Sequence, residues 1–147
     1  INNRFLIGTL VDITISNRRF SGNYTSTMIN SYRFNPTPFS RQIYGSSLRS
    51  NSYLAAGLMP LFKISNTLSV RSGAYFFTPL YPVIDNEGQP EYNDLLTEIR
   101  AIGELGLVYH TPIGPISAGV NYFSHESRKV YYYLNFGYIL FNKSGLD

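Results

Sequence analysis

The sequence contains no cysteine and no tryptophan, and it is short of charge. Only 14% of its residues are Asp, Glu, Lys or Arg, against roughly 25% in an ordinary globular domain. Without cysteine there is neither a disulfide framework nor a thiolate metal site. The two histidines, His110 and His125, fall at opposite ends of one predicted hairpin, so no shared metal centre and no cofactor is expected from them. No apolar run approaches the roughly 18 residues that a membrane-spanning helix requires. The net charge of +3 comes from scattered basic residues, densest at Arg18-Arg19 and Arg128-Lys129. Both pairs sit at predicted turns, where they read as solvated charge rather than as a nucleic-acid surface.

Aromatics are abundant instead, with 13 Tyr and 10 Phe making 16% of the chain. A water-soluble domain covers itself with charge, so this composition implies another solvent or a large partner. Alternation along the sequence shows where the apolar surface is kept. Val130, Tyr132, Leu134, Phe136, Tyr138 and Leu140 share one phase, with Tyr131, Asn135 and Gly137 in the other. Ile116, Ala118, Val120 and Tyr122 alternate with Ser117, Gly119 and Asn121. Ile99, Ala101, Leu105, Leu107 and Tyr109 alternate with Glu98, Arg100, Glu104 and His110. Three more strands follow the same rule: Leu68 to Phe76, Leu54 to Phe62, and Phe5 to Ile15. The stretch from Phe20 to Phe34 supplies a seventh, weaker strand, with Tyr24, Met28, Tyr32 and Phe34 in phase.

The connections alternate as well. Asn17-Arg18-Arg19, Ser65-Asn66 and Thr111-Pro112-Ile113-Gly114 are tight turns, whereas 35–50 and 81–94 are long and rich in Pro, Asn, Gly and Ser. Short turns on one side and long loops on the other are the habit of outer-membrane barrels, whose short turns face the periplasm. The expected fold is therefore all-β, an antiparallel transmembrane β-barrel segment of about seven strands in the bacterial outer membrane, with outer-membrane lipid as its partner. On this phase the chain enters from the outside and ends in the periplasm after Phe141. Single-chain bacterial barrels have an even number of strands, and an open sheet leaves unpaired edges in lipid. The remaining strands are then expected from the same chain or another subunit. Residues 1–147 are therefore expected to form the C-terminal part of a barrel domain, with an export signal expected further upstream.

The C-terminal third carries a resemblance. The run from Ile99 to Tyr122, with Pro112-Ile113-Gly114-Pro115 at its turn, resembles the closing strands of the Omp85, or bacterial surface antigen, superfamily. Asn135-Phe136-Gly137-Tyr138-Ile139-Leu140-Phe141-Asn142 resembles that family's final strand. Within it, Tyr109 to Ser117, the tail Phe136 to Lys143, Asn23-Tyr24-Thr25 and Phe34-Asn35-Pro36-Thr37-Pro38 are most like the barrels of Bacteroidetes patatin-like phospholipases. The resemblance implies a sixteen-stranded barrel, of which these would be the tenth to sixteenth strands. It also implies a role in anchoring an upstream lipid-hydrolysing domain and aiding its display or the passage of lipid or polypeptide. A stand-alone porin-like barrel and an Omp85 assembly or translocation factor are the alternatives. The resemblance places an in-folded loop at 35–50, where Arg49 stands for the arginine of the family's Val-Arg-Gly-aromatic motif. Here the surrounding residues are Ser47-Leu48-Arg49-Ser50, without the glycine and the aromatic.

This segment carries no expected catalytic residue. The patatin reaction needs a serine on a Gly-x-Ser-x-Gly elbow, and Gly45-Ser46-Ser47-Leu48-Arg49 lacks the second glycine. The charged residues in the inward phase, Arg71, Glu98, Arg100 and Glu104, together with Arg33, suggest a lumenal network whose members neutralise one another, as buried charges must. Glu98 and Glu104 are six positions apart, roughly 20 Å along a strand, too far to share one acid–base step. Tyr131-Tyr132-Tyr133 and Tyr122-Phe123 are candidates for an aromatic girdle at headgroup level.

Overall fold

A computed structural model of the chain describes residues 4–37, 39–41 and 46–137. In chain order they form β1 (Phe5–Thr14), α1 (Tyr24–Asn30), β2 (Tyr32–Arg33), β3 (Arg49–Ser50), β4 (Tyr53–Lys63), β5 (Leu68–Pro79), β6 (Val83–Asn86), β7 (Gln89–Tyr92), β8 (Arg100–Thr111), β9 (Gly114–Phe123) and β10 (Val130–Phe136). Six long strands make one antiparallel sheet in the order β1-β4-β5-β8-β9-β10, while β2-β3 and β6-β7 are separate two-stranded hairpins. Among the described residues β1 and β10 are the sheet's edges. The closing-strand positions Tyr138 to Lys143 lie outside the described residues.

Alternation becomes two faces of opposite character. One cross-strand row runs unbroken over the whole sheet: Thr9, Leu58, Ala74, Gly103, Tyr122 and Val130. Every residue in phase with this row is apolar, Gly, Ser or Thr, including Ile7, Val11, Ile13, Leu54, Phe76, Leu105, Leu107, Leu134 and Phe136. This open face is bare: Val11 is 72% exposed, Tyr132 76% and Phe136 71%. Among the described residues, the charged side chains of the six strands and the one strand histidine (Asp12, Lys63, Arg71, Arg100, Glu104 and His110) all fall in the opposite phase.

The opposite face is covered at one end by the long connection from Ile15 to Ser52. Phe34 and Leu48 of that connection are buried against Tyr53, Ala55, Tyr75, Phe77, Ile102 and Phe123 of the sheet. Phe34 stacks on Phe77 at 5.6 Å, and Phe39 lies 5.5 Å from Tyr131 and 6.2 Å from Tyr133. The aromatic residues of the strands are thus divided between an open apolar face and this covered core.

The expected strand from Phe20 to Phe34 is not there. Its centre is α1, started by Asn23, whose side chain accepts from the Ser26 backbone N–H at 2.8 Å, as an N-cap does. The turn expected at Asn17-Arg18-Arg19 joins no two strands but is part of the long connection. With six strands rather than seven, the direction of the first also changes. Phe5 pairs with Phe62, so β1 starts at the same end as the two tight turns and not at the long-loop end.

Those two turns stand as expected. Thr111 pairs with Gly114 across Pro112-Ile113, and its hydroxyl accepts from the backbone N–H groups of Ile113 and Gly114. Gly114 has φ +147°, a backbone conformation that favours glycine. Ser65 plays the hydroxyl's part in the β4–β5 turn, accepting from Thr67 and Leu68.

Tyrosine rings lie across glycines on the covered face. A Cβ on Gly57 or Gly73 would overlap Tyr75, and one on Gly106 would lie 2.3 Å from the Tyr133 hydroxyl. At Gly119 the obstacle is backbone: a Cβ would be 2.4 Å from the Leu105 carbonyl oxygen and 2.7 Å from Gly106 Cα. Gly119→Ala must separate β8 from β9 and is expected to destabilise by about 1–3 kcal/mol, as overpacking does. Gly103→Ala, whose Cβ would meet nothing closer than 3.7 Å, is the neutral comparison. Urea unfolding midpoints of the two variants measure the difference.

Candidate functional site

The charges expected to form one network form two groups at different heights. Arg71 on β5 and Glu104 on β8 make a 2.5 Å ion pair, and the Tyr133 hydroxyl on β10 donates to the same Glu104 oxygen at 3.1 Å. The Glu104 side chain is only 2% exposed, whereas Arg71 is 32% exposed. Strand geometry positions all three. Tyr133 pairs with Gly119, and Gly119 pairs with Gly106, so its ring crosses two strands that offer no side chain to block it. The outcome is an anchored carboxylate on the covered face of the sheet, neutralised on one side and hydrogen-bonded on the other.

The second group lies at the long-loop end and ties three connections together. Arg100, at the start of β8, pairs with Glu98 and also donates to the Ser47 carbonyl oxygen. The Ser47 hydroxyl donates to Glu126 of the β9–β10 loop. One residue of the covering connection is therefore gripped from both sides. Ser47, Arg49, Glu98, Arg100 and His125 surround a polar cavity of about 240 Å³ here.

Arg33 and Arg49 belong to the covering connection, not to the sheet. They face each other across the β2–β3 pair. Burial and then the neighbouring Arg49 lower the pKa of Arg33, with Glu126 acting the other way. Arg33 donates to the Ser40 carbonyl oxygen. Arg49 donates to the carbonyl oxygens of Met28, Ile29 and Ser31 at 3.2, 2.7 and 3.3 Å. These are carbonyls at the C-terminal end of α1, where a helix runs out of internal donors; Met28 also accepts from the Ser31 N–H at 3.3 Å. Arg49, expected as the arginine of an in-folded loop, thus stands in a connection that folds over the sheet and caps its helix.

The other expectations divide. Pro112, Gly114 and Pro115 form and flank the β8–β9 tight turn. Of the girdle candidates, Tyr122 and Tyr132 are on the open face, while Phe123, Tyr131 and Tyr133 are on the covered one. His110 is close to the β8–β9 turn and His125 lies in the β9–β10 loop, so the strand length separates them. Gly45 lies outside the described residues, and the Ser47 hydroxyl is engaged with Glu126.

Sequence reasoning missed Ser47 and Glu126 as a clasp because they are 79 positions apart, beyond any local pattern. It also missed the Tyr53 hydroxyl donating to Asp12 at 2.8 Å. Their positions 53 and 12 lie in the inward phases of two strands, a signal that was available. No family model, no curated protein and no solved structure matches this chain.

Proposed function

We propose that the chain forms part of the wall of a bacterial outer-membrane β-barrel, completed by further strands beyond β1 and β10, and that it anchors an upstream patatin-like lipid-hydrolysing domain. One observation carries the first half: an apolar face, free of charge across the six adjacent strands of the large sheet, with every described charge of those six strands on the other side. Such a face in water would be an aggregation surface far beyond a few hundred Å². Against hydrocarbon it is the stable solution, since antiparallel ladders pair the backbones of neighbouring strands along most of their length, the β4–β5 ladder skipping only Met59 and Pro60.

Dimensions support the reading. β5 and β8 have 12 residues each; at about 3.3 Å per residue and a tilt near 45°, such strands rise about 28 Å, close to the thickness of a hydrocarbon core. On this reading the covered face is the lumen, the connection 15–52 folds into it, and the tight turns are periplasmic. The anchoring role rests on the resemblance of the C-terminal third and of the 23–38 region.

The test is fractionation of the native protein with sequencing of its full length. The expected result is retention in outer-membrane vesicles after a urea wash, slower migration of boiled than unboiled samples, and a Gly-x-Ser-x-Gly elbow upstream. Release by urea would overturn the wall. Retention without an elbow would overturn only the hydrolase.

A further inference from the structure

A second cavity, of about 430 Å³, sits where the open face meets the long-loop end. Ile15, Asn51, Ser52, Leu80, Tyr81 and Tyr92 line it. Its composition is unlike the clasp cavity, because no charged residue lines it. Two half-exposed tyrosines, Tyr81 and Tyr92, meet edge to face at 6.1 Å.

Tyr92 is held rigidly for a residue with 45% exposure. Phe20 lies against its ring at 4.5 Å. Its hydroxyl accepts from the amide of Asn51 at 3.3 Å, and Asn51 in turn is buried and accepts from Ser31 at 3.0 Å. Because the hydroxyl oxygen is used as an acceptor, its own proton remains to be donated. Below the tyrosines, Ile15 and Leu80 continue the open face; Ile15 is 80% exposed. Ser52 and Ser16 close the polar side through mutual hydrogen bonds.

We propose that this corner binds an uncharged saccharide ring, either free or as the head of an amphiphile. A sugar has an apolar C–H face and a rim of hydroxyls, which matches rigid aromatic rings bordered by hydroxyl groups. A phosphate or carboxylate would be left without a counter-charge there. An alkyl chain alone would leave the Tyr92 proton unused. The amphiphile form rests on the membrane-wall reading, since it needs the cavity at the lipid surface; the free-sugar form does not.

The experiment is saturation-transfer NMR on the full protein in nanodiscs. The probes are methyl β-glucoside, methyl β-galactoside and methyl α-mannoside, and in parallel an alkyl glucoside. The expected result is transfer to sugar-ring protons, weakened about fivefold by Tyr81→Leu or Tyr92→Leu, the equivalent of about 1 kcal/mol for one aromatic contact. Tyr132→Leu, on the open face away from the cavity, should leave it unchanged. Among the described residues the ring contact of Tyr81 is edge-on with Tyr92, so that variant tests the site even where Tyr92→Leu disturbs the loop. Transfer to the methyl glycosides indicates a free-sugar site, and transfer only to the ring protons of the alkyl glucoside indicates an amphiphile head. No ring transfer from any probe, transfer to alkyl protons alone, or transfer in both tyrosine variants as strong as in the unaltered protein overturns the proposal.

Discussion

Leu105→Arg is expected to weaken folding into lipid vesicles by about 2–4 kcal/mol, the cost of a cationic side chain near the middle of the lipid face of a barrel. Leu105 is half-way along β8 and 53% exposed on the open face. Its row neighbours are Ser72, Val120 and Tyr132, none of which offers a counter-charge. Val108→Arg is the matched control. Val108 is in the opposite phase, between Ser69 and Ser117, where the strand charges of this sheet are found and an arginine keeps its hydration. Urea titration of vesicle-folded protein should show a lowered midpoint for the first variant and little change for the second. Equal effects would mean that the two faces do not meet different solvents.

The second large effect is expected at Arg71. Arg71→Ala leaves the nearly inaccessible Glu104 carboxylate with the Tyr133 hydroxyl as its remaining partner. Breaking a buried pair from one side costs about 3–5 kcal/mol. The exposure of Arg71 puts the expected loss at the lower end, about 3 kcal/mol. Removing both charges, as in Arg71→Met with Glu104→Gln, should be far less harmful than the sum of the single changes, because no uncompensated charge remains. Unfolding of the two single variants and the double variant gives the coupling directly. Additive losses would show that the pair does not act as a unit.

The six strands were legible because each repeats its apolar phase over four or more positions, and a one-residue slip would put every charge on the wrong face. The tight turns were legible for a similar reason: Ser65 and Thr111 supply hydroxyls at places where the polypeptide must reverse. The connection 15–52 was not. Tyr24 and Met28 are four apart, and a spacing of four satisfies both the strand period of two and the helical i, i+4 neighbour rule. Tyr32 and Phe34 then extend the strand phase by coincidence. The deciding signal was local, in the cap at Asn23 rather than in the periodicity.

At the site, the charged residues were identifiable from their inward phase, but not their division. Arg71 and Glu104 meet because β5 and β8 are neighbours, although 33 positions separate them. Glu98 precedes β8 and pairs instead with Arg100, two residues away. Whether charges in one phase meet depends on depth along the strands. Arg33 and Arg49 depend on a folded connection that periodicity does not describe.

The central claim is that the open face of this sheet meets lipid. Because residues 1–147 contain no cysteine, single cysteines carrying a nitroxide can be placed along β8 without removing one from this segment. Gly103, Leu105, Leu107 and Tyr109 would be compared with Val108 and His110 in membrane-inserted protein. The account predicts an alternation of period two, with the odd positions colliding freely with oxygen and shielded from a water-soluble nickel complex, and the two even positions the reverse. Nickel access at Leu105 and Leu107 equal to that at Val108 would contradict it.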